Sequence, residues 1–118
     1  MTTPNSTVRP DVALEDEDQA HWVLIHPEVL QAAPHWAQRM SLHFEQDGSV
    51  GVGYDAYFGS VEIGTASIWK GGDLTPCDNG FVDVYLKTDN LQATTASLSE
   101  LSRRFAEAAE ALAPQKGA

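Results

Sequence analysis

Two alternating runs joined by an Asp-Gly step constrain this chain more than any other feature of its sequence. Apolar and polar residues alternate over residues 40–44, and the alternation resumes over residues 50–56. Between the runs lies Asp47-Gly48, a dipeptide typical of tight turns. Alternation with a period of two places successive side chains on opposite faces of a strand. The pattern therefore predicts an antiparallel hairpin over residues 40–56 with one buried face.

Two further strands and one helix complete the predicted architecture. Alternation recurs over residues 61–70 and 81–88, and the Gly-, Pro- and Asp-rich segment 70–80 predicts a long loop. Residues 97–113 predict an amphipathic helix, which Ser97 and Glu100 would begin as a capping box. Its apolar side chains at helical spacing are Leu98, Leu101, Phe105, Ala108, Ala109 and Leu112. We expect an α+β fold, with an antiparallel β-meander of about four to five strands and the C-terminal amphipathic helix packed on one face.

The segment before the hairpin has two interpretations. Residues 22–25 form the most apolar run of the chain, and the β-branched Val23 and Ile25 favour a strand. Pro27 then favours a short helix over residues 28–33. The alternative is one helix over residues 20–33, broken only at Pro27.

The length of 118 residues allows one domain. Residues 1–20 contain the acidic block 15–18 and few apolar side chains, so we expect a disordered acidic N-terminal tail. Residues 21–113 form the predicted single α+β domain, and residues 114–118 the frayed C-terminal tail.

Seventeen acidic and seven basic residues give a formal net charge of −10. This charge opposes direct binding to nucleic acid or to an anionic membrane surface, and it favours a basic protein partner.

Cys77 is the only cysteine, so the chain has no internal disulfide. Because no run resembles a secretory signal or has membrane-spanning length, we expect a cytoplasmic location.

The sequence contains no motif that predicts catalysis. The pattern Gly51-x-Gly53-x-x-Ala56 continues in strand alternation, whereas nucleotide binding would need a helix to begin there. The four histidines lack the spacing of metal ligands, and Cys77 has no neighbour that would lower its pKa. We therefore predict no catalytic residue, no cofactor, no metal site and a non-enzymatic protein. The glycines of the second strand predict a smooth track that seats a helix or receives a partner.

Acidic and aromatic side chains on the strands and in the 70–80 loop are the candidate partner-binding residues. They are Glu45, Asp55, Tyr57, Glu62, Trp69, Asp73, Asp78, Asp83 and Tyr85. The expected function is that of a small acidic protein-interaction module, accessory or regulatory. One alternative is a nucleic-acid mimic that inhibits a DNA- or RNA-binding protein. Another is a small-ligand-binding protein or enzyme with its site near the 70–80 loop. Self-association as a homodimer through the 97–113 helix is a further expectation.

The last third of the chain carries a resemblance. The strand at residues 82–86, the Ser/Thr-rich turn and the Ala-, Leu- and Glu-rich helix at residues 98–112 resemble the ends of small actinobacterial and actinophage proteins of unknown function. The resemblance rests on composition and carries no catalytic residue. It implies a small cytoplasmic accessory protein.

Overall fold

The computed structural model describes residues 12–14, 17–87 and 93–114. Within these residues the chain forms six strands and three α-helices. A short 3-10 helix, Asp78–Gly80, lies between the fifth and sixth strands. The elements in chain order are β1 (Ala13–Leu14), α1 (Glu17–Ile25), α2 (Glu28–Gln31), β2 (Arg39–Phe44), β3 (Val50–Phe58), β4 (Val61–Lys70), β5 (Asp73–Pro76), β6 (Asp83–Leu86) and α3 (Thr95–Leu112).

The strands form one sheet in the order β1-β2-β3-β4-β5, and β6 also pairs with β4. Among the pairings of these six described strands, β1–β2 is parallel and the other four are antiparallel. Strand β4 pairs with β3 along one edge, and on its other edge it pairs with β5 at residues 67–70 and with β6 at residues 61–64. The predicted hairpin and the α+β class are confirmed, because β2 and β3 pair in antiparallel register from Arg39↔Asp55 to Phe44↔Val50.

A further hairpin begins inside the predicted 70–80 loop, so that prediction is wrong for its first half. Gly71 and Gly72 connect β4 to β5 with φ of 59° and 94°. Positive φ at both central residues is the requirement of a type I′ turn, whose twist matches that of the flanking strands. Leu74 of β5 consequently pairs with Trp69 of β4.

All three helices cover the same face of the sheet, which we call the inner face, over two adjoining apolar clusters. Helices α1 and α2 bury Val23 and Val29 against Met40, Val52 and neighbouring residues of β2 and β3. Helix α3 covers a smaller cluster of Ala56, Val61, Ile63 and Ala108. Trp36, in the loop between α2 and β2, packs against both clusters.

The strand predicted at residues 22–25 is wrong, because these residues end helix α1. Helical periodicity buries Gln19 and Val23, one turn apart, whereas Leu24 is 79% exposed. The buried Gln19 Oε1 accepts a hydrogen bond from the Leu42 N–H at 3.1 Å and so satisfies part of the edge of β2.

The expected disordered tail over residues 1–20 is wrong for residues 12–14 and 17–20, which belong to the fold. Val12 is buried, residues 13–14 pair with β2, and α1 begins at Glu17. The other residues of that tail, 1–11 and 15–16, lie outside the described residues, as do residues 115–118 of the expected C-terminal tail.

Helix α3 confirms the predicted C-terminal helix but begins two residues earlier. Thr94 is the N-cap, and its Oγ1 accepts the Ser97 N–H at 3.0 Å while the Ser97 Oγ accepts the Thr94 N–H. The predicted capping box of Ser97 with Glu100 is therefore wrong, because Ser97 occupies the third helical position of the box. Of the apolar side chains, Ala108 is buried and Leu101 partly buried, whereas Leu98, Phe105 and Leu112 are 54, 44 and 37% exposed.

Candidate functional site

Strands β3, β4 and β6 turn polar side chains to the face of the sheet opposite the helices, here called the outer face. Cross-strand pairing arranges these side chains in rows that run across the three strands. In the first row Glu62 of β4 lies between Tyr57 of β3 and Tyr85 of β6. A carboxylate thus stands between two aromatic side chains.

The neighbouring row has a glycine at its centre. Gly64 of β4 lies between Asp55 of β3 and Asp83 of β6. Because adjacent strands are about 4.8 Å apart, the two aspartates flank a gap that is roughly two strand spacings wide and that no side chain of the described residues fills. The two rows bring together five of the nine residues predicted for partner binding: Asp55, Tyr57, Glu62, Asp83 and Tyr85.

The gap widens into a cavity of about 180 Å³, which we call the acidic pocket. The small residues Gly53, Gly64 and Ala66 are part of its lining, and Gly53 pairs with Ala66 beside the aspartate row. A side chain at Gly53 would clash, because its Cβ would lie 2.9 Å from the Ser41 Oγ. The predicted track of small residues is therefore present, but the helices lie on the other face and do not occupy it.

The loop between β5 and β6 builds one wall of the acidic pocket. It passes residues 65–66 of β4, where neither β5 nor β6 pairs. The Cys77 N–H donates to the Ala66 carbonyl at 2.9 Å, and the Thr65 hydroxyl donates to the Phe81 carbonyl at 3.0 Å. Phe81 is 68% exposed and contributes an apolar surface to the lining.

Three carboxylates line the acidic pocket, and no basic side chain of the described residues does so. The basic residues stand outside it: Arg39 Nε lies 3.6 Å from Asp55 Oδ1, and Lys87 Nζ lies 3.7 Å from Glu62 Oε1. The basic side chains of these two long ion pairs are about half exposed, and pairs with an exposed member contribute about 0–1 kcal/mol. The third carboxylate, Asp83, accepts the Tyr85 hydroxyl at 3.4 Å.

The hydroxyl of Tyr57 stays protonated beside these carboxylates. Burial raises its pKa, and the charges of Asp55 and Glu62 raise it further, whereas the charge of Arg39 lowers it. The Arg39 guanidinium also lies 5.4 Å from the centre of the Tyr57 ring, within reach of a cation–π contact. The row of Tyr57, Glu62 and Tyr85 therefore already holds one guanidinium against an aromatic ring.

Trp69, predicted from the sequence as a partner-binding residue, does not belong to this site. Strand alternation places it on the inner face with Val61 and Ile63. There its ring centre lies 5.1 Å from that of Trp22 and 4.6 Å from that of His26. Its Nε1–H donates to Glu28 Oε2 at 2.7 Å, which ties β4 to α2.

Glu45, Asp73 and Asp78 also lie away from the two rows. Glu45 follows β2, with an oxygen 3.3 Å from His43 Nε2, and Asp73 pairs with Lys70 beside the β4–β5 turn. Both are therefore at the opposite end of β4 from Glu62. Asp78 begins the 3-10 helix, and its side chain is outside the described part of the structure.

The sequence interpretation missed Phe81, Thr65 and Cys77 as parts of the pocket. Alternation alone assigns side chains to faces. It does not show that β5 and β6 share one edge of β4, which is what places Phe81 beside Gly64.

Among the described residues, no group of three or more His, Cys, Asp and Glu side chains is arranged to hold a metal ion. No described helix combines the length and apolar character needed to cross a membrane.

Comparison with known proteins finds no matching family model, curated protein or solved structure. The fold and the site together define a small α+β protein with an acidic, partly aromatic pocket on the sheet face that none of the described helices covers.

Proposed function

We propose that the protein is a protein-interaction module whose acidic pocket receives a basic side chain of its partner. The observation that carries the proposal is the composition of the pocket, in which three carboxylates surround a glycine and two exposed aromatic side chains stand beside them. Carboxylates attract a lysine or arginine head group, and aromatic rings add cation–π contacts to it. The net charge of −10 favours approach of a basic partner over a longer range.

The aromatic residues of the pocket suit an interface. Phe81 and Tyr85 are 68 and 51% exposed, although burial against a partner would stabilise them. A basic side chain has an apolar stem as well as a charged end, and Phe81 offers the surface on which such a stem packs. The pocket therefore complements both parts of a lysine or arginine.

The proposal is tested by titrating the 15N-labelled protein with a lysine-rich peptide and with an acidic peptide of equal length. Amide signals of residues 53, 62, 64, 66, 83 and 85 should shift with the basic peptide only. Affinity should fall as the ionic strength rises from ~0.05 to ~0.5 M.

Asp83→Asn and Asp73→Asn form a matched pair, because each removes one negative charge from an exposed strand residue. Asp83→Asn should weaken binding of the lysine-rich peptide about two- to fivefold, the effect of one exposed ion pair, and Asp73→Asn should leave it nearly unchanged. Equal weakening by both variants would mean that only net charge attracts the peptide, and the pocket proposal would then be wrong.

A small cationic ligand is the second candidate, favoured by the cavity volume of about 180 Å³ and by the wall that Cys77 and Phe81 form. Free alkylamines and guanidines would then shift the pocket signals at lower concentrations than the peptide does. The reverse order supports the protein partner.

A further inference from the structure

Strand β6 has one edge that no strand of the described residues pairs with. Its residues Asp83 and Tyr85 pair with Gly64 and Glu62 of β4, and the Lys87 N–H donates to the Ser60 carbonyl next to them. In an antiparallel ladder the backbone groups of successive residues point to alternate sides. The N–H and C=O groups of Val84 and Leu86 therefore point away from β4, toward the open edge.

The side chains of β6 differ sharply between the two faces. Val84 and Leu86 are on the inner face, where they remain 54 and 48% exposed at the edge of the helical layer. Asp83 and Tyr85 are on the outer face and line the acidic pocket. An exposed apolar edge strand is a template for pairing with another chain, and proteins usually protect such edges.

We propose that β6 accepts an extended segment of the partner as an additional strand, in which basic and apolar residues alternate. This inference rests on the proposed function and adds that the basic side chain belongs to an extended segment of the partner that pairs with β6. Pairing on Val84 and Leu86 supplies main-chain hydrogen bonds, and the pockets beside the strand select alternate side chains.

The side chains of β6 determine which positions of the added segment are basic and which are apolar. Residues opposite each other in neighbouring strands share a face, with Cβ atoms about 5 Å apart. A basic residue beside Asp83 or Tyr85 lies on the outer face, and its long stem reaches over β6 toward Gly64. The residues on either side of it lie on the inner face, where apolar side chains cover Val84 and Leu86.

A second copy of this chain is a poorer occupant than a basic partner. Each copy carries a formal charge of −10, and two paired β6 strands would bring two acidic pockets side by side. Repulsion between like charges opposes that arrangement. A basic segment complements the same surface.

The test compares two fluorescent peptides of identical composition, one with lysine and valine alternating and one with the lysines and valines in separate blocks. Fluorescence anisotropy should show that the full chain binds the alternating peptide about tenfold more tightly, since only that peptide satisfies both faces. Equal affinities would overturn the proposal.

Val84→Pro and Val84→Thr separate strand pairing from side-chain contacts. Proline removes an N–H that points away from β4, at a position where an edge strand tolerates it, whereas threonine keeps the N–H and the β-branched shape. Val84→Pro should weaken binding of the alternating peptide about tenfold, and Val84→Thr less than about twofold. Leu86→Pro gives the same test if Val84→Pro does not fold, as judged from its amide spectrum.

The outcomes distinguish this inference from the proposed function. If the proline variants bind the alternating peptide as tightly as the wild type while Asp83→Asn weakens it, strand addition is wrong and the pocket proposal stands. If Asp83→Asn and Asp73→Asn weaken it equally, the pocket proposal fails. Sedimentation without peptide shows whether wild-type copies pair with each other. A dimer that Val84→Pro abolishes would make a second copy the occupant and overturn the inference.

Discussion

Substitution of the buried Tyr54 should change the stability of the protein and also the dependence of that stability on pH. Its side chain is 2% exposed at the centre of the sheet, and its hydroxyl donates to the Val29 carbonyl at 2.6 Å, which ties α2 to β3. Tyr54→Phe removes the donor and leaves that carbonyl without this hydrogen bond in a buried place. At about pH 8 we expect the free energy of unfolding to fall by about 1–3 kcal/mol.

The second effect of Tyr54 is on stability at high pH. Burial raises its pKa to about 12, above the ordinary value of 10. The pKa of Tyr54 is thus higher in the folded state than in the unfolded state. The contribution of Tyr54 to stability is therefore fully present below about pH 10 and is lost as the pH rises toward 12. Two pKa units correspond to about 2–3 kcal/mol.

Urea unfolding of the wild type and of Tyr54→Phe at several values between about pH 8 and pH 11 measures both effects. The other tyrosines and the lysines titrate in both proteins, so the difference between the two curves isolates Tyr54. The wild type should be the more stable at the lower pH, and its advantage should shrink above about pH 10. A constant difference across this range would refute the assigned burial and hydrogen bond.

Two further predictions concern helix α3. Thr94→Ala removes the hydroxyl that accepts the Ser97 N–H and should lower the free energy of unfolding by about 1 kcal/mol. Thr94→Ser keeps a hydroxyl and should lower it little. Equal losses of stability in urea unfolding would mean that the hydroxyl does not cap the helix. The homodimer expected through this helix stays a prediction, and the exposed stripe of Leu98, Phe105 and Leu112, each seven residues from the next, is where it would form. Phe105→Glu should lower the sedimentation coefficient of any dimer to that of a monomer, and a dimer that survives the substitution must use another surface.

Local patterns in the sequence predicted much of the sheet. Alternation over residues 40–56 and 61–70 fixed which side chains share a face, and pairing in hairpins then followed from short connections. Strand β1 could not be predicted in this way, because Ala13 pairs with Arg39 across two intervening helices. A strand of two residues is too short to show an alternating sequence pattern.

The errors have local physical causes. The β-branched residues at 22–25 favour a strand, but the acidic first turn of α1 and the buried pair Gln19 and Val23 stabilise a helix through them. Gly71-Gly72 carried a hairpin signal that the loop-like composition around it masked. For the site, the sequence named Asp55, Glu62 and Asp83 as candidates, whereas the pocket itself forms only because β6 and the loop that contains Phe81 pack beside the same end of β4.

The two edges of the sheet are unequal, and this limits the size of any complex built on them. One edge offers the two residues of β1 and, next to them, a Leu42 N–H that Gln19 already occupies. At the other edge, β5 and β6 both pair with β4 and follow one another along it, and β6 is the strand to which we assign the added partner segment. If strand addition occurs at β6 as we propose, we expect one partner segment per molecule.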